Sequence, residues 1–208
     1  MIIVFEGIDG SGKTTVSKKI YEELKDVFKG CVFWFSEPSP TKLGSTLKTI
    51  LTSKEISLTT LEQTLLFTTD RLFLLRNYII PYNKENKIII MDRSFISTYA
   101  YQIMNIEDEN LKKILTTLTE LSISEFYIDI LFYFDCPSQI SFSRIKEKDG
   151  IESKGIEFIE KVRRNYLKFI ESKHSKVKTI EIINATKNLE DIYNEVRSKV
   201  IEKTGYIV

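Results

Sequence analysis

Gly7-Ile8-Asp9-Gly10-Ser11-Gly12-Lys13-Thr14 follows directly on the apolar run Ile2-Ile3-Val4-Phe5, so a strand leads through a phosphate-binding P-loop into a helix. Each residue type has a chemical reason. The glycines let backbone N–H groups close around phosphate oxygens, Lys13 reaches the β- and γ-phosphates, and the Thr14 hydroxyl can ligate Mg²⁺. The helix that begins there adds the positive end of its dipole. Gly7, Ile8, Asp9, Gly10, Ser11, Gly12, Lys13, Thr14 and Thr15 are therefore expected to hold the phosphates of ATP or GTP.

Outward from this loop, short runs rich in Ile, Val and Phe alternate with helical patterns. Strands are expected at Ile2–Phe5, Val32–Phe35, Ile88–Met91, Ile130–Phe134 and Thr179–Ile183. Such near-continuous apolar runs suit parallel strands covered on both faces, and the intervening segments are long enough for helical crossovers. Helices are expected at Lys13–Phe28, with Gly30 as a stop, then at Thr41–Ser53 and Leu58–Tyr82, with Pro81 kinking or ending the last. Further helices are expected at Phe95–Met104, Glu109–Ser122, Ser138–Glu147, Gly155–Ser172 and Leu189–Lys203. The fold class is thus α/β, a five-stranded parallel sheet flanked by helices on both faces. The 208 residues suit one domain, with a polar, glycine-bearing lid at about residues 144–155.

Composition narrows the partners. Lys plus Arg number 30 against 29 for Asp plus Glu, so no bulk basic field draws nucleic acid or an anionic membrane. A small-molecule partner fits better. The start reaches Glu6 too soon for a signal peptide, and a cytoplasmic location is expected. Cys31 and Cys136 lack metal-ligand spacing and are expected as small buried hydrophobes in a reducing compartment. His174, the one histidine, lies in a polar stretch that reads as an exposed loop, which disfavours histidine-based acid–base catalysis.

A second site stands where Asp92-Arg93-Ser94 follows the third strand, because ligands of open α/β sheets bind beyond the strand carboxyl ends. Asp92 is a candidate for holding Mg²⁺, and the planar fork of Arg93 suits a second phosphate. Glu37-Pro38 closes the second strand in the same way. Phe67 and Arg71 are four apart on one helix, so a ring could stack on a base while the guanidinium donates to a carbonyl.

Together these residues resemble the thymidylate kinases, ATP-dependent enzymes that convert dTMP to dTDP. The likeness runs from Phe5-Glu6-Gly7 through Thr15, Glu37-Pro38, Leu65-Leu66-Phe67 with Asp70-Arg71, and Asp92-Arg93 followed by Ser97-Thr98-Tyr99-Ala100-Tyr101-Gln102. It continues in Phe158–Tyr166 and Ile183-Asn184-Ala185-Thr186. The resemblance implies that Phe67 stacks on thymine and Arg71 bonds its carbonyl. It implies that Thr98, Tyr101 and Gln102 line base and sugar, that Asp9 lies near the 3′-hydroxyl or the metal, and that Arg93 holds the dTMP phosphate, with Lys48 nearby. It also implies Mg²⁺ as cofactor, ATP and dTMP as substrates, and a homodimer.

Two departures stand out. Family members carry an arginine in the P-loop or in the lid, whereas this chain has Gly10 in the loop and Asp149-Gly150-Ile151-Glu152 in the lid. Arg144, Lys146, Lys148 and Lys154 are the candidate replacements, so the catalytic set is expected to be Lys13, Arg93, Asp9 and Arg144. Ser94 stands where relatives carry an aromatic residue or His that helps exclude a ribose 2′-hydroxyl. A deoxynucleoside kinase acting on thymidine is the nearest alternative. A regulatory GTPase lacks support, since no Asn-Lys-x-Asp motif follows the fourth strand.

Overall fold

The strand register sets which side chains meet at the site. The computed structural model describes residues 1–53, 55–145 and 155–205. Strands β1 (Ile2–Glu6), β2 (Val32–Ser36), β3 (Ile88–Asp92), β4 (Ile128–Asp135) and β5 (Val177–Asn184) form one parallel sheet in the order β2-β3-β1-β4-β5. Each strand runs one residue beyond the end of its apolar run, because polar exits such as Glu6, Ser36 and Asp92 still pair along the ladder, and β4 and β5 also begin two residues earlier.

Both faces are covered, as near-continuous apolar strands require. On β2, Trp34 donates to Ser17 of α1 (Lys13–Val27), while Phe33 and Phe35 face the other way onto Tyr82 and Tyr78. On β4, Tyr133 packs on Tyr166 of α8 (Ile156–Glu171), and Phe132 stands against Phe5. Ile3, Val4, Phe5, Ile89, Ile90, Met91 and Leu131 are fully buried at the sheet centre.

The long helical pattern at Leu58–Tyr82 divides into α3 (Thr60–Leu74), a π-helical turn (Leu75–Ile79) and α4 (Ile80–Lys84). Pro81 lacks the N–H that an uninterrupted α-helix would use, and the widened turn carries the chain into it. A capping box starts α3, with Thr59 and Glu62 satisfying each other's backbone N–H groups. Then α2 (Lys42–Thr52), α5 (Phe95–Tyr101), α6 (Glu109–Ser122), α7 (Ser138–Arg144) and α9 (Leu189–Thr204) complete the layers. Among the described residues no helix is long and apolar enough to cross a membrane.

Two expectations need correcting. His174 is not on an exposed loop: its ring stacks on Phe169, and its Nε2 lies 2.9 Å from Glu120 Oε1. Its polar neighbours in sequence hide this, since the covering residues come from α6 and α8. Cys136 is buried as expected, but Cys31 is partly exposed in the turn before β2.

Candidate functional site

The P-loop connects β1 to α1 at the point where the strand order reverses. Gly10 has φ +77, and a Cβ there would stand 2.2 Å from the Ser141 carbonyl of α7. Glycine is thus what lets α7 approach the loop. Lys13, only 4% exposed, donates to Asp9 Oδ1 at 3.2 Å and to the Ile8 carbonyl. Asp9 also receives Arg93 Nη2 at 2.5 Å and the Tyr101 hydroxyl at 3.3 Å. Burial opposes its ionisation, but Arg93 and Lys13 override that and hold its carboxyl well below the usual carboxylate range.

Arg93 stands at the exit of β3 in a left-handed conformation, φ 75, its N–H donating to the Phe5 carbonyl. Its Nη1 donates to Ser97 Oγ, the Tyr166 hydroxyl and the Gly7 carbonyl. Behind it Glu6 is fully buried and accepts from the Ser94 and Ser97 backbone and from the hydroxyls of Ser94, Ser97 and Tyr166. Burial pushes the Glu6 carboxyl up, and Arg93 with these hydroxyls pulls it back. Ser94 is therefore turned into the core as the cap of α5 and toward Glu6. Next to it, Thr14 Oγ1 donates to Asp92 Oδ2 at 2.5 Å, while buried Asp92 Oδ1 has no partner among the described residues.

The segment after β2 carries the third cluster. Arg71, 1% exposed, donates from Nε and Nη2 to both oxygens of Glu37 and from Nη2 to Thr98 Oγ1, at 2.7–3.1 Å. Its Nη1 is buried with no acceptor among the described residues. Asp70, beside it, accepts the Ser39 N–H and hydroxyl, each at 2.6 Å, and so fixes the chain that follows Pro38.

Two cavities meet at this centre. One, of about 360 Å³, is lined by Asp9, Lys13, Thr14, Glu37, Pro38, Lys48, Phe67, Asp92, Arg93, Thr98, Tyr101 and Gln102, together with Lys18, Trp34, Ser36, Leu51, Thr52 and Ser97. The other, of about 450 Å³, is lined by Asp9, Gly10, Ser11, Gly12, Lys13, Thr14 and Thr15, with Arg144, Lys187, Asn188, Leu189 and Ile192. Among the described residues, only Asp9, Lys13 and Thr14 line both. Arg144 donates to the Ala185 carbonyl at 2.9 Å and so faces the P-loop from the α7 side. Gly7 and Ile8 form the loop's backbone beneath. Lys146, Lys148, Lys154 and Asp149–Glu152 lie outside the described residues.

Sequence reasoning missed Glu6 and Tyr166 as the support of Arg93, although Glu6 at a strand exit next to Gly7 is an unusual buried charge. It missed Trp34 and Lys18, which line the first cavity and make a 5.1 Å cation–π contact. Nothing in their local pattern signals the pairing, which arises because β2 and α1 are adjacent only in the folded sheet.

The thymidylate kinase family model matches residues 5–196. Similar proteins include the thymidylate kinase of Thermosipho africanus, 35% identical over 98% of this chain and 98% of that protein. The thymidylate kinase of Fervidobacterium nodosum is 34% identical over 94% and 96%. Among solved structures, the thymidylate kinase of Ehrlichia chaffeensis superposes with a TM-score of 0.74 at 28% identity, covering 96% of this chain and 98% of that one. With a P-loop cavity and a second cavity meeting at Asp9, Lys13 and Thr14, and with the match spanning nearly its whole length, the chain belongs to the thymidylate kinase family, ATP-dependent nucleoside monophosphate kinases that make dTDP from dTMP.

Proposed function

We propose that the P-loop cavity takes ATP and the second cavity takes dTMP, so that the phosphoryl group passes between them over Asp9, Lys13 and Thr14. The observation that carries this is the meeting of the two cavities at those three residues. The dTMP phosphate attacks the γ-phosphorus in line, and the protein contributes position and positive charge. A phosphate monoester is already anionic near pH 7, so no general base is required. Lys13 meets the transferred group and Arg93 the acceptor phosphate, with Lys48 lining the same cavity. Of the cations that could offset the lid's lack of arginine, Arg144 lies among the described residues and lines the P-loop cavity.

Phe67 offers a ring to the base, and Arg71, held by the wall residues Glu37 and Thr98, offers to a base carbonyl its Nη1, which has no partner among the described residues; Glu37, Pro38, Thr98, Tyr101 and Gln102 shape the walls. Thr14 and Asp92 suit Mg²⁺: an unpartnered carboxylate oxygen beside a hydroxyl is a hard-oxygen donor set that leaves room for phosphate and water ligands. Bound there, the ion supplies neutralising charge to the phosphates. Phosphorylation of thymidine is disfavoured, because that reaction needs a base for a hydroxyl proton while the Asp9 carboxyl is engaged by two cations.

A second copy of the chain is the proposed partner. Leu61, Leu65 and Leu72 on α3 and Ile114 and Leu121 on α6 stand exposed on helices that pack together. A cytoplasmic location fits the same reading. The test is ADP production with ATP, Mg²⁺ and dTMP, dUMP, UMP, dGMP, dCMP or thymidine. Turnover that depends on dTMP is expected; turnover with thymidine and not dTMP would overturn the proposal.

A further inference from the structure

Gln63 lies one turn before Phe67 on α3 and is half-buried. Its Nε2 donates to the Leu58 carbonyl at 3.1 Å, which directs its Oε1 toward α5. There it accepts from Gln102 Nε2 at 3.4 Å. Gln102 itself is 4% exposed and lines the acceptor cavity. A primary amide has one donor end and one acceptor end, and only its partners decide which points where. With the NH₂ of Gln102 turned to Gln63, its carbonyl oxygen is the end left for the cavity. No donor among the described residues reaches that oxygen.

Arg71 supplies the opposite polarity, a buried Nη1 donor with no acceptor among the described residues, on a guanidinium held by Glu37 and Thr98. One such donor and one such acceptor would together match the C4 carbonyl and N3–H of a pyrimidine-2,4-dione such as thymine. Cytosine presents the reverse, an amino group at C4 and a bare acceptor at N3. Were the Gln102 amide free to turn over, its NH₂ would meet the cytosine N3 and remove half of that mismatch.

We propose that Gln63 is a specificity-determining positioning residue, which fixes the Gln102 amide with its oxygen toward the base and so excludes 4-aminopyrimidine nucleotides. The inference rests on the base-pocket reading above and deepens it. Gln63 touches no substrate and acts through Gln102. A site that must leave a buried polar group unpaired rejects an analogue far more strongly than one that can re-pair it.

The experiment compares kcat/KM for dTMP and dCMP, with the Ki of dCMP against dTMP turnover as the readout where dCMP turnover is undetectable. In Gln63→Leu the preference for dTMP over dCMP should contract by about tenfold or more, because dTMP loses the oriented acceptor while dCMP gains a donor. Gln63→Glu keeps an acceptor facing Gln102 and should retain the preference within about threefold. Gln63→Met serves if the leucine variant does not fold. A contraction equal in both nucleotides, leaving their ratio unchanged, would reduce Gln63 to packing and overturn the proposal. Loss of preference in Gln63→Glu would do the same. A wild-type enzyme that bound dCMP as well as dTMP would instead sink the base-pocket reading itself.

Discussion

Asp9 is claimed by two cations from opposite walls, Lys13 of the P-loop and Arg93 of the β3 exit. A carboxyl whose folded pKa is depressed stabilises the fold above its unfolded pKa, and that contribution fades as pH falls through the folded value. The stability gap between wild type and Asp9→Asn should therefore be full above about pH 5 and should narrow below about pH 4, measured as denaturant midpoints. An equal gap at pH 7 and pH 3 would show that Asp9 acts through shape alone. Lys13→Ala removes charge that the transition state needs, and kcat should fall by about 10³-fold with the fold intact. Arg71 carries a double role. Arg71→Ala should cost about 3 kcal/mol of stability by stranding buried Glu37. Adding Glu37→Gln should recover part of that stability but not dTMP selection, as read from thermal melts and from kcat/KM. Full recovery of selection would mean that Arg71 serves only to neutralise Glu37 and does not read the base.

The elements hold these residues through close approaches that single side chains would spoil. Gly44, in the first turn of α2, has Ser39 so near that a Cβ would stand 2.3 Å from its carbonyl oxygen and hydroxyl and 2.6 Å from its nitrogen. Gly44→Ala should push α2 away from the Ser39–Asp70 contact, costing about 2 kcal/mol and raising the KM for dTMP more than that for ATP. Gly10 plays the matching part for α7, and Gly10→Ala should raise the KM for ATP more than that for dTMP. If both variants moved both constants equally, the two cavities would not be the separate donor and acceptor sites proposed here.

At the scale of the molecule, five parallel strands bring residues from widely separated segments to one edge of the sheet. Asp92 reaches Thr14 across 78 positions and Arg93 reaches Asp9 across 84, because β1 and β3 are neighbours. On the outer surface, the exposed leucines of α3 lie on the helix that also brings Phe67 to the first cavity, so association and substrate binding are expected to be linked. Leu65→Glu with Leu72→Glu should convert a dimer to a monomer in sedimentation velocity. A wild-type chain that sedimented as a monomer at micromolar concentration would exclude this interface.

Much of this was legible in the chain alone. Backbone-level signals are local: a strand before Gly7–Thr14 and a helix after it define a phosphate loop wherever they occur, and runs such as Ile88–Met91 announce buried strands by composition. The strand count, the parallel sheet, the P-loop and Asp92-Arg93 were accordingly readable, and the structure has them within a few residues. Pairings between side chains distant in sequence carry no such local mark. That His174 is sheltered by Phe169 and Glu120, that Glu6 and Tyr166 brace Arg93, and that Gln63 turns the Gln102 amide all depend on which helices the crossovers set side by side. The sequence determined the elements because their hydrogen bonds and periodicity are satisfied within a few residues; the tertiary structure alone decided the site's polarity, because each polar group there takes its orientation from a partner that only folding brings near.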